Sequence, residues 1–193
     1  GADAFRLYEM FMGAFDQAIP WSTDGARGCK RFLDRVWNLQ DLCTPEEEVS
    51  EKNESIVHKT IRKVTNDIDD LKMNTAISAL MTMVNQFYSN GCSRGDVKVL
   101  LKLLSPFTPH ITEEMWELMG FAAEAGKMVS QCDWPEWDEA KTIDATVEMA
   151  VQVCGKLRAT IKVPVDSDQD TVVAAAMEMK KIANMAECKK IFK

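Results

Sequence analysis

Residues 74–91 read NTAISALMTMVNQFYSNG, and this stretch is the most informative one for the fold class. Its large apolar side chains recur every three or four positions, at Ile77, Leu80, Met81, Val84, Phe87 and Tyr88. That spacing lines up side chains on one face of an α-helix, whereas a strand would alternate them. Asn74 is expected to cap the helix, and Asn90-Gly91 supplies a helix end. The stretch predicts an amphipathic helix with one buried face.

Three similar apolar patterns precede this helix. The first is expected to be capped by Asp3 and to end at Gly13. The second predicted helix follows Ser22, Thr23 and Asp24, whose side-chain oxygens are suited to cap it. The third should begin at residues 44–48, TPEEE, because proline and acidic residues favour a helix N-terminus.

Two more patterns follow. Ser93 is expected to begin a helix that ends at Ser105-Pro106. Thr108 should cap the next one, which Pro109 opens and Gly120 ends. Six amphipathic helices joined by short loops predict a helical bundle.

The pattern changes after residue 120. Residues 120–144 show no period, and residues 147–153 and 157–163 then alternate apolar and polar around Gly155-Lys156, which predicts a β-hairpin. Asp168 and Asp170 should lead a final helix through Ile182. The fold class is therefore mainly α, a helical bundle followed by a small truncated α/β module. The expected domains are a bundle at 1–119, a connecting segment at 120–144 and a partial α/β domain at 145–193.

Composition narrows the class of protein. The 193 residues are 46% hydrophobic and 27% charged, as expected of a soluble globular chain. No apolar stretch approaches the roughly 20 residues of a membrane helix, and no leader is evident, so we expect a cytoplasmic protein without a membrane partner. The six cysteines form no C-x-x-C pair, which favours reduced, packed thiols. Neither histidine has a cysteine at zinc-ligand spacing, so no metal site is expected.

Charge is distributed unevenly. The formal net charge is −7, yet residues 27–35 carry four cations against one carboxylate. Residues 113–148 carry ten carboxylates against two lysines, and residues 155–193 are basic again. Two basic regions around an acidic one can bind a polyanion locally while the whole protein stays soluble.

No catalytic constellation is evident. The stretch HITEE at residues 110–114 lacks the second histidine of a metalloprotease helix. The glycines at 25 and 28 are not followed by the Lys-Ser/Thr of a phosphate-binding loop, and Cys29 has no histidine nearby in sequence. We expect no catalytic residues.

The candidate binding residues are cations. Arg27, Arg31 and Arg35 recur every four residues along the second helix, with Lys30 beside them. Lys156, Arg158 and Lys162 lie on the hairpin. Both groups have two interpretations, a solvated surface or contacts to the phosphates of a nucleic acid, for which the planar fork of arginine is well suited.

Several motifs together resemble the leucyl-tRNA synthetases of bacterial type. They are GADAFRLYEMFMG at 1–13, RFLDRVW at 31–37, NTAISAL at 74–80, PFTPHITEEMW at 106–116, WPEW at 134–137 and VQVCGKLR at 151–158. The resemblance covers essentially the whole chain, in order. Cys154 departs from the family, which usually has Asn before Gly in the hairpin turn.

The resemblance implies the C-terminal part of such a synthetase: the helical anticodon-binding domain and part of the C-terminal domain. The parent enzyme would use ATP and Mg to attach leucine to leucine tRNA, with its catalytic and editing domains in the same polypeptide, and we expect a monomer. This part would hold no cofactor and catalyse nothing. It would position the tRNA, the bundle contacting its backbone and the C-terminal module its elbow.

Two alternatives stay open. The helical motifs taken singly would fit a valyl, isoleucyl or methionyl-tRNA synthetase, although the opening segment and the hairpin favour the leucyl enzyme. A helical protein-interaction module without an RNA partner is the other alternative.

Overall fold

The computed structural model describes residues 1–13, 18, 20–143, 146–153, 156–164 and 167–177. The chain divides into two compact units, Gly1–Thr142 and Ile143–Lys193. The first unit is helical, and the second holds an antiparallel hairpin and one described helix. The predicted fold class, a helical bundle followed by a hairpin and a helix, is confirmed.

The first unit is built from helices of unequal length. They are α1 (Ala2–Phe11), α2 (Thr23–Leu42), α3 (Glu54–Asp69), α4 (Met73–Asn90), α5 (Arg94–Leu104), α6 (Pro109–Leu118) and the short α7 (Phe121–Ala125). Two 3-10 helices follow, at Val129–Gln131 and Glu139–Thr142. Residues 120–143, which show no sequence period, therefore contain only short helical elements among irregular chain.

The apolar stripes of these helices meet in one core. Leu7, Val36, Leu80, Leu100 and Trp116 are each 0% exposed and come from five different helices. Burial of this kind contributes about 25 cal/mol per Å² of apolar surface and is the main stabilising term of the fold.

Helix α4 follows its predicted pattern with two differences. Ile77, Leu80 and Val84 are buried, and Gly91 ends the helix with φ = 77°, a left-handed angle that favours glycine. Asn74 is not the cap: the helix begins one residue earlier, at Met73, and has no side-chain cap. Tyr88 is not in the core, since 39% of it is exposed.

Asp3 caps a different helix from the one predicted. It lies inside α1, and its carboxylate accepts hydrogen bonds from the backbone N–H groups of His110 (3.3 Å) and Ile111 (2.7 Å) at the start of α6. The side chain of Thr108, the predicted cap of α6, makes no capping bond. A carboxylate brought in by tertiary packing thus meets the free donors and the positive end of the α6 dipole.

The prediction that residues 44–48 begin a helix is wrong, because α3 begins at Glu54. Backbone bonds to the α4–α5 connection and the start of α5 hold this segment in a non-helical conformation: Thr44 N–H donates to the carbonyl of Cys92 (2.9 Å), and Gly95 N–H donates to the carbonyl of Glu46 (3.0 Å). A Cβ atom on Gly95 would lie 2.3 Å from the carbonyl oxygen of Glu47, so the approach requires glycine. Pairing between distant segments overrides the local helix signal.

The second unit contains β1 (Thr146–Val153), β2 (Lys156–Pro164) and α8 (Gln169–Met177). The strands pair antiparallel, and the register shifts after Val151, so that Arg158 has no partner across the ladder. The side chains of Val151, Ile161, Val163, Val172 and Ala176 form a small core.

Asp168 starts α8 as predicted, its carboxylate accepting from Thr171 N–H at 2.8 Å. Cys154 and Gly155, at the predicted turn, and the predicted helix beyond Met177 lie outside the described residues.

Candidate nucleic-acid interface

Helix α2 carries the predicted basic row, and its start is fixed by α1. The side chain of Ser22 caps α2 by accepting from Gly25 N–H at 3.1 Å. Tyr8 of α1 accepts from Ser22 N–H at 2.6 Å through its hydroxyl. A Cβ atom on Gly25 would lie 2.8 Å from the ring of Tyr8, so the close packing of α1 on α2 depends on glycine there. The buried side of α2 is thereby set, and the basic row faces outward.

Two members of the row form local ion pairs. Arg27 is paired with Asp24 at 3.2 Å, and both side chains are largely exposed. Lys30 is paired with Asp34 one turn further on. Exposed pairs of this kind contribute roughly 0–1 kcal/mol and break readily, yet while it is formed each carboxylate offsets the positive charge of its cation.

Arg31 differs from both. It is exposed and lies at the centre of the outward side of α2, four residues from Arg27 and from Arg35. Within the described part of the chain, no hydrogen bond or ion pair involves its guanidinium. Its full charge and its donors face solvent.

Arg35 is held by α4. Its guanidinium donates to the amide oxygen of Asn85 at 2.7 Å and lies 4.6 Å from the ring centroid of Tyr88. The hydroxyl of Tyr88 donates to the backbone carbonyl of Arg35 at 2.9 Å. These partners are uncharged, so they orient the guanidinium and leave its charge uncompensated.

The hairpin cations are described less completely. Arg158 is exposed and lies at the register shift. Lys156 lies opposite Val153 and Lys162 opposite Glu148, and their side chains are outside the described set. The role of all seven cations as RNA contacts stays a prediction.

Other cations, which the sequence did not single out, are engaged within the protein. We define the acidic strap as residues 134–142, which lie along α3. In the strap, Glu139 pairs with Arg62 of α3, and Lys141 pairs with Glu54 at 2.7 Å. The indole N–H of Trp134 donates to Thr65 Oγ1 at 2.8 Å. Sequence spacing gives no signal for these pairs because their partners lie some 80 residues apart.

His58 lies under the strap and is half-buried. Its Nδ1 accepts from the backbone N–H of Asp138 at 3.0 Å. Burial lowers the pKa of His58, and the nearby ammonium of Lys141 lowers it further. The imidazole is therefore kept neutral, which suits an acceptor.

Arg94, at the start of α5, is another cation whose contacts lie within the protein. It pairs with Glu47 and Glu124, donates to the carbonyl of Met119 at 2.6 Å, and packs 4.1 Å from the ring centroid of Phe121. Only 15% of its side chain is exposed. Arg94 therefore joins the loop at Glu47, the end of α6 and helix α7, and offers little to a ligand.

The described residues offer little material for catalysis. Cys29 is 2% exposed, and burial raises the pKa of its thiol, so it is a packed thiol and a poor nucleophile. Burial raises the pKa of Cys92 to about 12. In the ranges that the structure describes, no three His, Cys, Asp or Glu side chains are grouped to hold a metal ion, and no helix there is long and apolar enough to cross a membrane.

Comparison with known proteins identifies relatives over the whole chain. Residues 53–174 match the family model described as the anticodon-binding domain of tRNA ligase. The chain is 44% identical to the leucine–tRNA ligase of Alkaliphilus oremlandii and 42% identical to that of Chlorobaculum tepidum. In each case all of this chain aligns with 24% of the relative, so the chain spans about a quarter of the length of these curated relatives.

A solved structure is similar as well. It is the crystal structure of the ternary complex of Agrobacterium radiobacter K84 agnB2 LeuRS with tRNA and LeuAMS, which matches 96% of this chain and 26% of that one. The TM-score is 0.67 and the sequence identity is 27%. The resemblance to leucyl-tRNA synthetases noted in the sequence is confirmed.

Proposed function

This chain belongs to the anticodon-binding domain family of tRNA ligases, and from that premise we propose that it is the tRNA-positioning part of a leucine–tRNA ligase. We call the longer enzyme that would contain it the parent ligase. On this proposal the parent ligase attaches leucine to leucine tRNA with ATP and Mg in the cytoplasm, as a monomer. The catalytic and editing domains lie elsewhere in its polypeptide, and this part makes no bond.

One observation carries the RNA-binding part of the proposal. Arg31 presents an exposed guanidinium that no described residue neutralises, beside Arg35, whose partners are uncharged. Keeping two arginine charges uncompensated on one helix side is unfavourable in isolation and becomes favourable when a phosphate arrives. A phosphodiester backbone supplies such anions at regular spacing.

The proposed role is positional. Contacts to phosphate and ribose fix where an RNA lies without reading its bases, and folded RNA is recognised mainly by shape. Holding the tRNA body in one orientation removes much of the entropic cost of bringing its acceptor end to a distant active site. We propose that residues 1–119 and 145–193 each supply such contacts, with 120–144 connecting them, and that Lys156, Arg158 and Lys162 serve the second range.

The test uses Arg31→Ala in the parent ligase. We expect its affinity for leucine tRNA to fall about five- to tenfold, because one phosphate contact is lost. Leucine-dependent pyrophosphate exchange, which does not need tRNA, should be unchanged. Filter binding and the exchange assay measure the two quantities.

Arg62→Ala is the matched control, because Arg62 is already paired with Glu139 of the acidic strap. It should leave tRNA affinity within twofold of the unaltered enzyme. An equal loss of binding and exchange in Arg31→Ala would assign Arg31 to folding, and no loss of binding would remove it from the interface.

A further inference from the structure

Helix α4 has an unusual surface for this protein. Its 18 residues, Met73–Asn90, include no Asp, Glu, Lys, Arg or His, although 27% of the whole chain is charged. The exposed side chains on its outward side are Ser78, Thr82, Asn85 and Ser89. We call these four residues the uncharged face of α4; it extends about 16 Å along the helix axis.

The uncharged face adjoins the arginines of α2. Asn85 belongs to it and is the residue that accepts from Arg35 at 2.7 Å. Tyr88, which packs under the same guanidinium, lies one turn after Asn85. Arg35 therefore borders this surface, with Arg31 one turn earlier on α2, and none of the four side chains of the face is a carboxylate that would repel an anion.

The three hydroxyl groups of this face already donate hydrogen bonds to backbone carbonyls of α4. Ser78 donates to the carbonyl of Asn74 at 2.9 Å, Thr82 to that of Ser78 at 3.0 Å, and Ser89 to that of Asn85 at 3.1 Å. A hydroxyl whose proton is used in this way presents acceptor lone pairs outward. The amide nitrogen of Asn85 stays available as a donor, since its oxygen accepts from Arg35.

This combination fits one kind of partner. Ribose 2′-hydroxyl groups are donors that match outward acceptors, and the phosphates beside them match Arg31 and Arg35. We propose that the uncharged face of α4 lies along a ribose–phosphate strand of the tRNA and accepts hydrogen bonds from its 2′-hydroxyls. This inference rests on the proposed function and adds the part of the surface that distinguishes RNA from DNA.

Placing a negative charge on this face is the first test. In the parent ligase, Thr82→Glu should weaken binding of leucine tRNA at least tenfold and leave leucine-dependent pyrophosphate exchange unchanged. The matched control is Ala123→Glu, an exposed position of α7, which packs against α6. It should bind tRNA as the unaltered enzyme does.

Removing the hydroxyls is the second test. The triple variant Ser78→Ala/Thr82→Val/Ser89→Ala should lose about three- to tenfold in affinity for the tRNA. Its affinity for a DNA copy of the same sequence, measured by competition, should not change. A smaller preference for RNA over DNA is the expected signature.

The outcomes separate this inference from the proposed function. If Thr82→Glu binds tRNA normally while Arg31→Ala does not, the RNA passes over α2 alone, and the inference fails while the function stands. If Thr82→Glu lowers pyrophosphate exchange as much as tRNA binding, the face packs against protein, and the inference fails. Equal losses on RNA and DNA in the triple variant would overturn the ribose contact.

Discussion

The cations of α2 and those of α3 belong to the same helical bundle but have opposite kinds of partner. On α3, Arg62 is paired with Glu139 of the acidic strap, and Lys63 is paired with the buried carboxylate of Asp67. On α2, Arg31 faces solvent, and Arg35 is held by the uncharged groups of Asn85 and Tyr88. A basic residue in the sequence is therefore no guide to a binding surface until its partners are known.

This difference between paired and unpaired cations should also separate residues that stabilise the fold from residues that bind RNA. A cation paired inside the molecule stabilises loops and helix ends, and its removal should be detected in unfolding experiments. A cation left without an acidic partner contributes little to folding, and its removal should be detected in RNA binding. The following experiments test this division.

The largest expected effect is on the α3 and α5 side, at Asp96. This carboxylate is 0% exposed and accepts from Ser50 N–H (3.1 Å), Ser50 Oγ (2.7 Å), Asn53 Nδ2 (2.8 Å) and Ser93 N–H (2.9 Å). Asp96→Ala leaves these donors without an acceptor and should lower the free energy of unfolding by about 3 kcal/mol. Urea denaturation of the 193-residue chain measures this, with the exposed Asp69→Ala as a control expected to change it by less than about 0.5 kcal/mol. A similar small change in Asp96→Ala would show that the loop before α3 folds without this network.

Arg35 should affect both quantities. Arg35→Ala loses the bond to Asn85 and the contact with Tyr88, and we expect a loss of about 1 kcal/mol in the free energy of unfolding. In the parent ligase the same change should reduce the log–log salt slope of tRNA binding by about 1.

Arg35→Lys distinguishes the two roles, because lysine keeps the charge but not the planar fork. It should lower stability almost as much as Arg35→Ala while it keeps most of the salt slope. A normal slope in Arg35→Ala would assign Arg35 to packing alone.

A smaller effect is expected when a paired cation of α2 is released. Asp34→Asn removes the partner of Lys30 and should tighten tRNA binding by the parent ligase two- to threefold at low salt, since local positive charge rises. Asp69→Asn makes the same chemical change at the end of α3 and should leave the affinity unchanged. Equal tightening in both variants would indicate a general effect of net charge.

The smallest effect is the pH dependence of the strap. Burial lowers the pKa of His58 from its ordinary value of 6.5, so the unfolded chain binds more protons than the folded chain just below that pH. The stabilisation is complete above about pH 6.5 and is lost as pH falls through the lowered pKa. Urea denaturation at pH 7 and pH 5 should show a greater loss for the unaltered chain than for His58→Gln, which keeps an acceptor but does not titrate. Equal losses would mean that folding does not lower the pKa of His58.

Several features were predictable from the sequence because their physical causes are local. The apolar spacing at 74–91 follows from helix geometry, and Ser93 caps α5 because Ser93 and Asp96 are three residues apart in the chain. The alternation of apolar and polar residues at 147–153 and 157–163 likewise predicted the hairpin. The leucyl-synthetase motifs were recognisable for a different reason, since they are a resemblance, and the comparisons bear it out.

Other features depended on groups that meet only after folding. The sequence predicted that Asp3 caps α1, whereas it caps α6, more than 100 residues away. Residues 44–48 have a good helix start, but their backbone pairs with residues 92–95. In the candidate binding surface, the row of arginines on α2 was visible in the sequence, whereas the sequence did not show that Arg27 is paired and that Arg31 has no partner among the described residues.

The sequence by itself determined that this protein is a helical bundle with a hairpin beyond it, because helix and strand periods are properties of neighbouring residues. It also determined which helix carries the basic row. Only the tertiary structure decided which cations of that row lack an acidic partner and that the uncharged face of α4 lies beside Arg35. Charge compensation acts through space over a few ångströms, and the chain order of the groups does not fix those distances.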